Sequence, residues 1–148
     1  MQVCVNVCIK KGDTLLMVEE NKPYIKGLIN IPGGHLEENE NIIEGAVREV
    51  LEETGLKIKI TGLVGVYNAI TTKKKYHLIN FIFLGEVLEE TGSYWEHEIV
   101  SSAYYKISDL KTKYVDKLRN TRLLETFDRL EKDEIYPLSV IKDFIVKQ

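Results

Sequence analysis

Residues 33 to 56 read Gly33-Gly-His-Leu-Glu-Glu-Asn-Glu-Asn-Ile-Ile-Glu-Gly-Ala-Val-Arg-Glu-Val-Leu-Glu-Glu-Thr-Gly-Leu56, and the rest of the chain is read outward from them. The Gly33-Gly34 pair that follows Ile31-Pro32 gives a tight loop whose missing side chains let backbone approach a metal or a phosphate. From Asn41 to Thr54 the spacing turns helical, with Asn41 and Glu44 at capping-box spacing and Gly55 as a stop signal. At about 100° per residue, Ile43, Ala46, Val47 and Val50 fall on one arc while Glu49, Glu52 and Glu53 fall on the adjoining one. The helix therefore carries a buried face and a carboxylate face. Like charges three and four apart repel by a few tenths of a kcal/mol per pair, and Arg48 is the one base within the cluster to relieve them. A bound divalent cation would relieve them further. Carboxylate oxygens are hard ligands that suit Mg²⁺, with Mn²⁺ as a substitute, and Mg²⁺ is usually held by a few carboxylates together with substrate phosphates. The substrate is therefore expected to carry phosphate.

Outside this stretch the composition is ordinary for one soluble domain. The chain has 148 residues, 44% hydrophobic and 29% charged, with three prolines, which fits a single α/β domain over 1–148 and excludes a disordered or fibrous chain. Twenty Lys and Arg stand against 23 Asp and Glu, for a net charge of -3, so no basic footprint for nucleic acid appears. That modest sum hides a local surplus, because the acid gathers between Glu37 and Glu53. No apolar run approaches the roughly 18 residues of a membrane span, and the first residues lack a signal-peptide pattern, so no membrane partner and a cytoplasmic location are expected. Cys4 and Cys8 lie in an alternating segment that, as a strand, separates them by about 13 Å. They cannot bridge and read as inert packing residues. His35, His77 and His97 show no finger spacing, which speaks against structural zinc.

The remaining elements follow from periodicity. Val3, Val5, Val7 and Ile9 alternate, and Lys10 to Asp13 turn into Thr14 to Val18, giving a hairpin. Lys57 to Ala69 and Tyr76 to Leu88 read as long strands joined by a polar loop at Thr71 to Lys75. Ala103 to Ile107 is expected to be a short strand, Leu118 to Leu130 a helix, and Pro137 to Val146 a last helix with proline in its first turn. Strands on both sides of a central helix predict a mixed sheet covered on both faces.

The segment 34–56 resembles the Nudix signature Gly-x5-Glu-x7-Arg-Glu-U-x-Glu-Glu-x-Gly-U, U being aliphatic. Gly34, Glu40, Arg48, Glu49, Val50, Glu52, Glu53, Gly55 and Leu56 occupy every position. Seven fixed residues at average usage would coincide about once in a billion placements, so the cluster is read as a metal site and not as the solvated face that a charge run ordinarily marks. The resemblance implies an α/β/α sandwich with a central mixed sheet, in which the box forms a loop-helix-loop metal site, and hydrolysis of a phosphoanhydride by water attack on phosphorus. It implies that Glu49, Glu52 and Glu53 bind metal with the Gly33 carbonyl, that Arg48 fixes a glutamate by ion pairing, and that Glu40 braces the loop. Glu98 and the aromatic segment after it look like a later family element, which makes Glu98 an additional metal ligand or general base. Glu53, Glu49 and Glu98 remain alternatives for the base.

Within the family, Leu16 to Glu20, Gly34 to Glu37 and Tyr136 to Phe144 look similar to small bacterial phosphatases acting on nucleoside di- and triphosphates and on hydroxymethylpyrimidine diphosphate. Asn30 and Asn80 depart from relatives that carry tryptophan and arginine there. The chain has no proline between Pro32 and Pro137, whereas members acting on ADP-ribose generally carry one downstream of the box. Tyr24, Lys26, Tyr67 and Asn80 are the candidate substrate contacts, with Tyr94 and Trp95 as further aromatics able to stack or pack, and Lys73 to Lys75 read as a solvated hairpin tip. The partner expected is a small nucleotide or organic diphosphate, bound by a monomer or homodimer. Two alternatives are a house-cleaning triphosphate pyrophosphohydrolase of MutT type that releases pyrophosphate, and a catalytically silent nucleotide sensor.

Overall fold

A computed structural model describes residues 1–73, 76–92 and 99–146. Its strands are β1 (Gln2–Lys11), β2 (Thr14–Glu20), β3 (Ile29–Asn30), β4 (Gly33–His35), β5 (Leu56–Thr71), β6 (Tyr76–Glu90) and β7 (Ile99–Lys106), and its helices are α1 (Ile42–Thr54), α2 (Ile107–Lys111) and α3 (Arg122–Glu131). The central path of the sheet runs β3-β2-β1-β6-β5, with β4 pairing β1 and β7 pairing β2. β1 runs parallel to β6, from Gln2 opposite Leu78 to Ile9 opposite Gly85, while its other pairings are antiparallel, so the sheet is mixed.

Alternation along β1 sets the layers. Val5, Val7 and Ile9 pack with Ala46 and Val50 of α1, whereas Cys8 on the opposite face packs with Leu110 of α2 and with Leu123, Phe127 and Leu130 of α3. β2 divides in the same way, with Leu16 on the α1 side and Leu15 and Met17 on the other. This period of two, feeding two helical layers, is what makes the α/β/α sandwich. No helix among the described residues is long and apolar enough to cross a membrane.

Several expected boundaries move, each for a local reason. Asn41 makes no side-chain cap on α1; the Ile42 N–H is instead donated to Asp143 Oδ1 at 3.3 Å, from a residue far away in sequence. Gly55 ends α1 as expected, at φ 72°, donating its N–H to the Leu51 carbonyl. The helix expected from Leu118 begins only at Arg122, because Leu118 is spent in a bridge to Ile29 and the Arg119 N–H is donated to the Ile29 carbonyl at 2.8 Å. The helix expected over Pro137 to Val146 is absent. Tyr136 exchanges two backbone hydrogen bonds with Leu63, only Leu138–Val140 form a short 3-10 turn, and the segment then runs irregularly over the α1 side with Leu138 and Ile141 packed down. Its branched residues Val140, Ile141, Ile145 and Val146 have modest helix propensity, and docking decides the outcome. β7 begins before Ala103 because it pairs with β2 from Thr14 to Glu20; most of its residues are exposed, which weakens the apolar signal. α2 follows directly from Ile107.

Phe127 is fully buried between α3 and the sheet. Phe127→Ala is expected to cost about 3–5 kcal/mol, measured by urea unfolding; an unchanged midpoint would show that this layer does not carry the fold.

Candidate active site

The Glu-rich loop and helix are organised around one guanidinium. Arg48 of α1 donates from Nε to Glu40 Oε2 at 2.6 Å and from Nη2 to Glu40 Oε1 at 3.0 Å, a two-pronged pair. Its Nη1 donates to both carboxylate oxygens of Glu52 at 3.1 Å and lies 3.1 Å from Glu49 Oε1, while Nη2 also donates to the His35 carbonyl at 3.2 Å. Spacing along the helix brings Glu49 and Glu52 to Arg48, and the loop returns Glu40 to it. The Arg48 hydrogen bond, helped by the Glu37 N–H, holds the Glu40 carboxyl below the usual carboxylate range. In return, hydrogen bonding to Glu40 raises the Arg48 pKa above its ordinary value, so its charge is permanent.

Glu53 sits on the next turn, only 8% exposed, and its Oε1 accepts the Gly33 N–H at 2.6 Å. The glycine pair is required here by space. A Cβ on Gly33 would come 2.6 Å from Asn6 Cα, and one on Gly34 would come 2.5 Å from Glu49 Oε2. Both approaches are far inside van der Waals contact, so the loop rests directly on β1 and on the Glu49 carboxylate.

Glu49, Glu53, Gly33 and Gly34 open into a cavity of about 1010 Å³. Its floor is one face of the sheet, where Cys4 of β1 stands opposite Asn80 of β6 and Asn80 stands opposite Tyr67 of β5. Tyr67 is anchored by a 3.0 Å hydrogen bond between its hydroxyl and Thr126 Oγ1. The loop after β2 supplies Lys22, Tyr24 and Ile25, the segment before α3 supplies Arg119, and the start of α3 supplies Arg122 and Leu123. Glu20, whose carboxyl is pushed up by burial, faces Arg119 at the same end, with Arg119 Nε 3.2 Å from Glu20 Oε2.

The expected residues thus divide. Glu49, Glu53, Gly33, Tyr24, Tyr67 and Asn80 share the cavity. Arg48 stands behind it as an anchor, and Glu52 is turned onto Arg48 and does not line it. Lys26 is exposed and outside the lining. Glu98, with Tyr94, Trp95 and His97, lies outside the described residues. Arg119, Arg122, Asn6 and Thr126 line the cavity without having been singled out; the spacing Arg119-x-x-Arg122 at the start of an amphipathic stretch was the available signal. Burial raises the thiols of Cys4 and Cys8, the latter up to about 12, in keeping with inert residues.

The donor set of the cavity consists of carboxylate and backbone oxygens, which suits a hard divalent ion such as Mg²⁺. Among the described residues no three His, Cys, Asp or Glu side chains stand arranged as a finished cage, since the glutamates are engaged with Arg48 and the Gly33 N–H.

A NUDIX domain model matches residues 1–127. The chain belongs to the Nudix family of hydrolases, enzymes of diphosphate-containing substrates. Phosphatase NudJ of Escherichia coli is 28% identical over 137 residues, covering 93% of this chain and 88% of that protein. An ADP-ribose pyrophosphatase of Methanocaldococcus jannaschii is 35% identical over 86 residues, 58% of this chain and 51% of that protein; the chain spans about half the length of this relative. A solved NUDIX hydrolase from Nitrosomonas europaea superposes with a TM-score of 0.89 at 28% identity, covering 97% of both chains.

Arg48→Met is expected to release the Glu40 carboxyl toward the ordinary carboxylate range, read by ¹³C NMR titration. Because the folded value in the natural chain lies below the unfolded one, the stability it contributes is present above the ordinary carboxylate pKa and is lost as pH falls through the folded value. The stability gap between the two proteins should therefore narrow on acidification below about pH 4, and a gap independent of pH would remove the pair from the account.

Proposed function

We propose that this enzyme hydrolyses phosphoanhydride bonds in nucleoside di- or triphosphates, or in related small organic diphosphates, with a divalent cation. The observation that carries this reading is the meeting of Glu49, Glu53 and the Gly33-Gly34 backbone at one end of a cavity at the upper end of the usual range for small-molecule sites. The likeness to a phosphatase of E. coli over nearly the whole chain supports it.

Glu49 and Glu53 would hold the ion, with the Gly33 carbonyl and Glu52 as the further ligands that the family motif implies. When bound, Mg²⁺ supplies Lewis acidity that lowers the pKa of water and neutralises phosphoryl oxygens. The chain's own groups do the rest. A water oxygen attacks phosphorus in line, the bridging P–O bond breaks toward the leaving phosphate, and a carboxylate takes the proton of the water. Glu53 is assigned to metal, with Glu98 as the alternative base. Arg48, by neutralising Glu40 and Glu52, keeps the loop closed and the face of α1 fixed. Tyr24 and Tyr67 contact the organic group and Asn80 contacts the substrate on the floor between them, whereas Lys26, outside the cavity, is left to attract phosphate at long range.

Hydrolysis of a nucleotide panel in Mg²⁺ is the test. Glu49→Gln and Glu53→Gln should each lower kcat about 100-fold or more, and chelation should abolish turnover. Full activity in Glu53→Gln would end its assignment. Phosphorus NMR of products formed in ¹⁸O-labelled water separates stepwise orthophosphate release from MutT-type release of pyrophosphate, and tight nucleotide binding without any phosphate release would make the protein a sensor.

A further inference from the structure

The cavity that holds the glutamates also carries a cation that the fold does not explain. Arg122 is the first residue of α3, where the positive end of the helix dipole opposes a positive side chain. The Thr121 side chain does not cap that helix, so its first amides add to the positive field. Arg122 is half-buried, lines the cavity, and makes no hydrogen bond or ion pair with another described residue. Arg119 differs, being paired with Glu20. Arg122 thus keeps its whole fork of donors in a place that costs stability.

Arg122 and Glu49 line the same cavity as Cys4 and Asn80 of its floor. The Cys4 thiol, raised mainly by burial, is drawn down by the charge of Arg122 and pushed up by that of Glu49, so both charges act across this one residue of β1. Asn80, the register partner of Cys4, is only 9% exposed, and its Oδ1 is buried without a partner. As it stands this oxygen is an acceptor without a donor, and a turn about χ2 exchanges it for the Nδ2–H, a donor for an oxygen in the cavity. An unspent guanidinium, an uncapped helix start and an unsatisfied amide all suit one ligand group, a phosphate, which a guanidinium binds with two parallel hydrogen bonds and a helix start with its field.

We propose that Arg122 binds a third phosphoryl group, beyond the two joined by the scissile anhydride, and so makes this enzyme prefer triphosphates to diphosphates. The inference rests on the phosphoanhydride reading above, in which the glutamate end takes the two reacting phosphates. The third then lies across Cys4, at the start of α3, where Lys22 and Lys73 line the same cavity.

Isothermal calorimetry in Mg²⁺ with adenylyl imidodiphosphate as the triphosphate probe and α,β-methylene-ADP as the diphosphate probe tests it on the full chain. The natural protein should bind the triphosphate probe more tightly, and Arg122→Met should cut the ratio of the two affinities about tenfold, with Arg122→Lys keeping part of it. Thermal unfolding reports on folding, and Arg122→Met is expected to melt no lower than the natural chain because it removes the charge opposed by the dipole. A ratio unchanged in Arg122→Met, or equal weakening of both probes, overturns the proposal. If no nucleotide is hydrolysed but the ratio falls, the clamp stands and the catalytic reading fails; if hydrolysis proceeds with an unaltered ratio, the clamp alone fails.

Discussion

One guanidinium holds the acidic site in a folded protein. Without Arg48, the carboxylates of Glu40, Glu49 and Glu52 would face one another across a few ångströms with no counter-charge, and the loop from Gly33 to Asn41 would be tied to α1 through Gly33 and Glu53 but no longer through Glu40. Arginine suits this place better than lysine, because a planar fork can satisfy Glu40 with two donors and still reach Glu52 and a backbone carbonyl. One positive charge among three negative ones leaves a net surplus of acid. The anchor fixes the geometry while the affinity for a cation is kept.

The sheet does the complementary work of holding the two ends of the cavity in register. β1 carries Val5, Val7 and Ile9 into the α1 layer while turning Cys4 and Asn6 to the cavity side, so the strand that packs the box helix also paves the substrate floor. α3, on the opposite layer, brings Arg122 to the same floor through the Leu123 and Phe127 contacts, and the segment before it, tied to Ile29, brings Arg119. The site is therefore shared between the two helical layers, and neither layer alone contains it.

What the sequence disclosed and what it withheld have a common cause. The box was legible because its residues act through spacing along one helix, as Arg48, Glu49, Glu52 and Glu53 do, and the alternation in β1 was legible because it packs the same way along its whole length. Interactions between segments distant in sequence were not. Asp143 replaces Asn41 at the start of α1, Ile29 takes the residues that would have begun α3 early, and Leu63 pins Tyr136 so that the following stretch cannot coil. In each case a partner tens of residues away overrides a local preference. Arg122 was hidden for the same reason, since nothing near it in sequence says that it shares a cavity with Glu49.

The parallel pairing of β1 with β6 also bears on how the chain is made. On a ribosome the residues from Gln2 to Ile9 emerge long before their partners from Leu78 to Gly85, and a central strand with both edges open is a template for unwanted association. The early hairpin with β2 covers its end, through Lys10 and Lys11, and β4 covers Cys4 to Asn6 on the same chain segment, which leaves the edge that β6 will take. Until β6 arrives, the nascent chain must carry an apolar strand without its neighbour, and non-local pairing of this kind is slow to form. The strand that unites the two halves of the cavity thus waits with one edge open until the middle of the chain has been made.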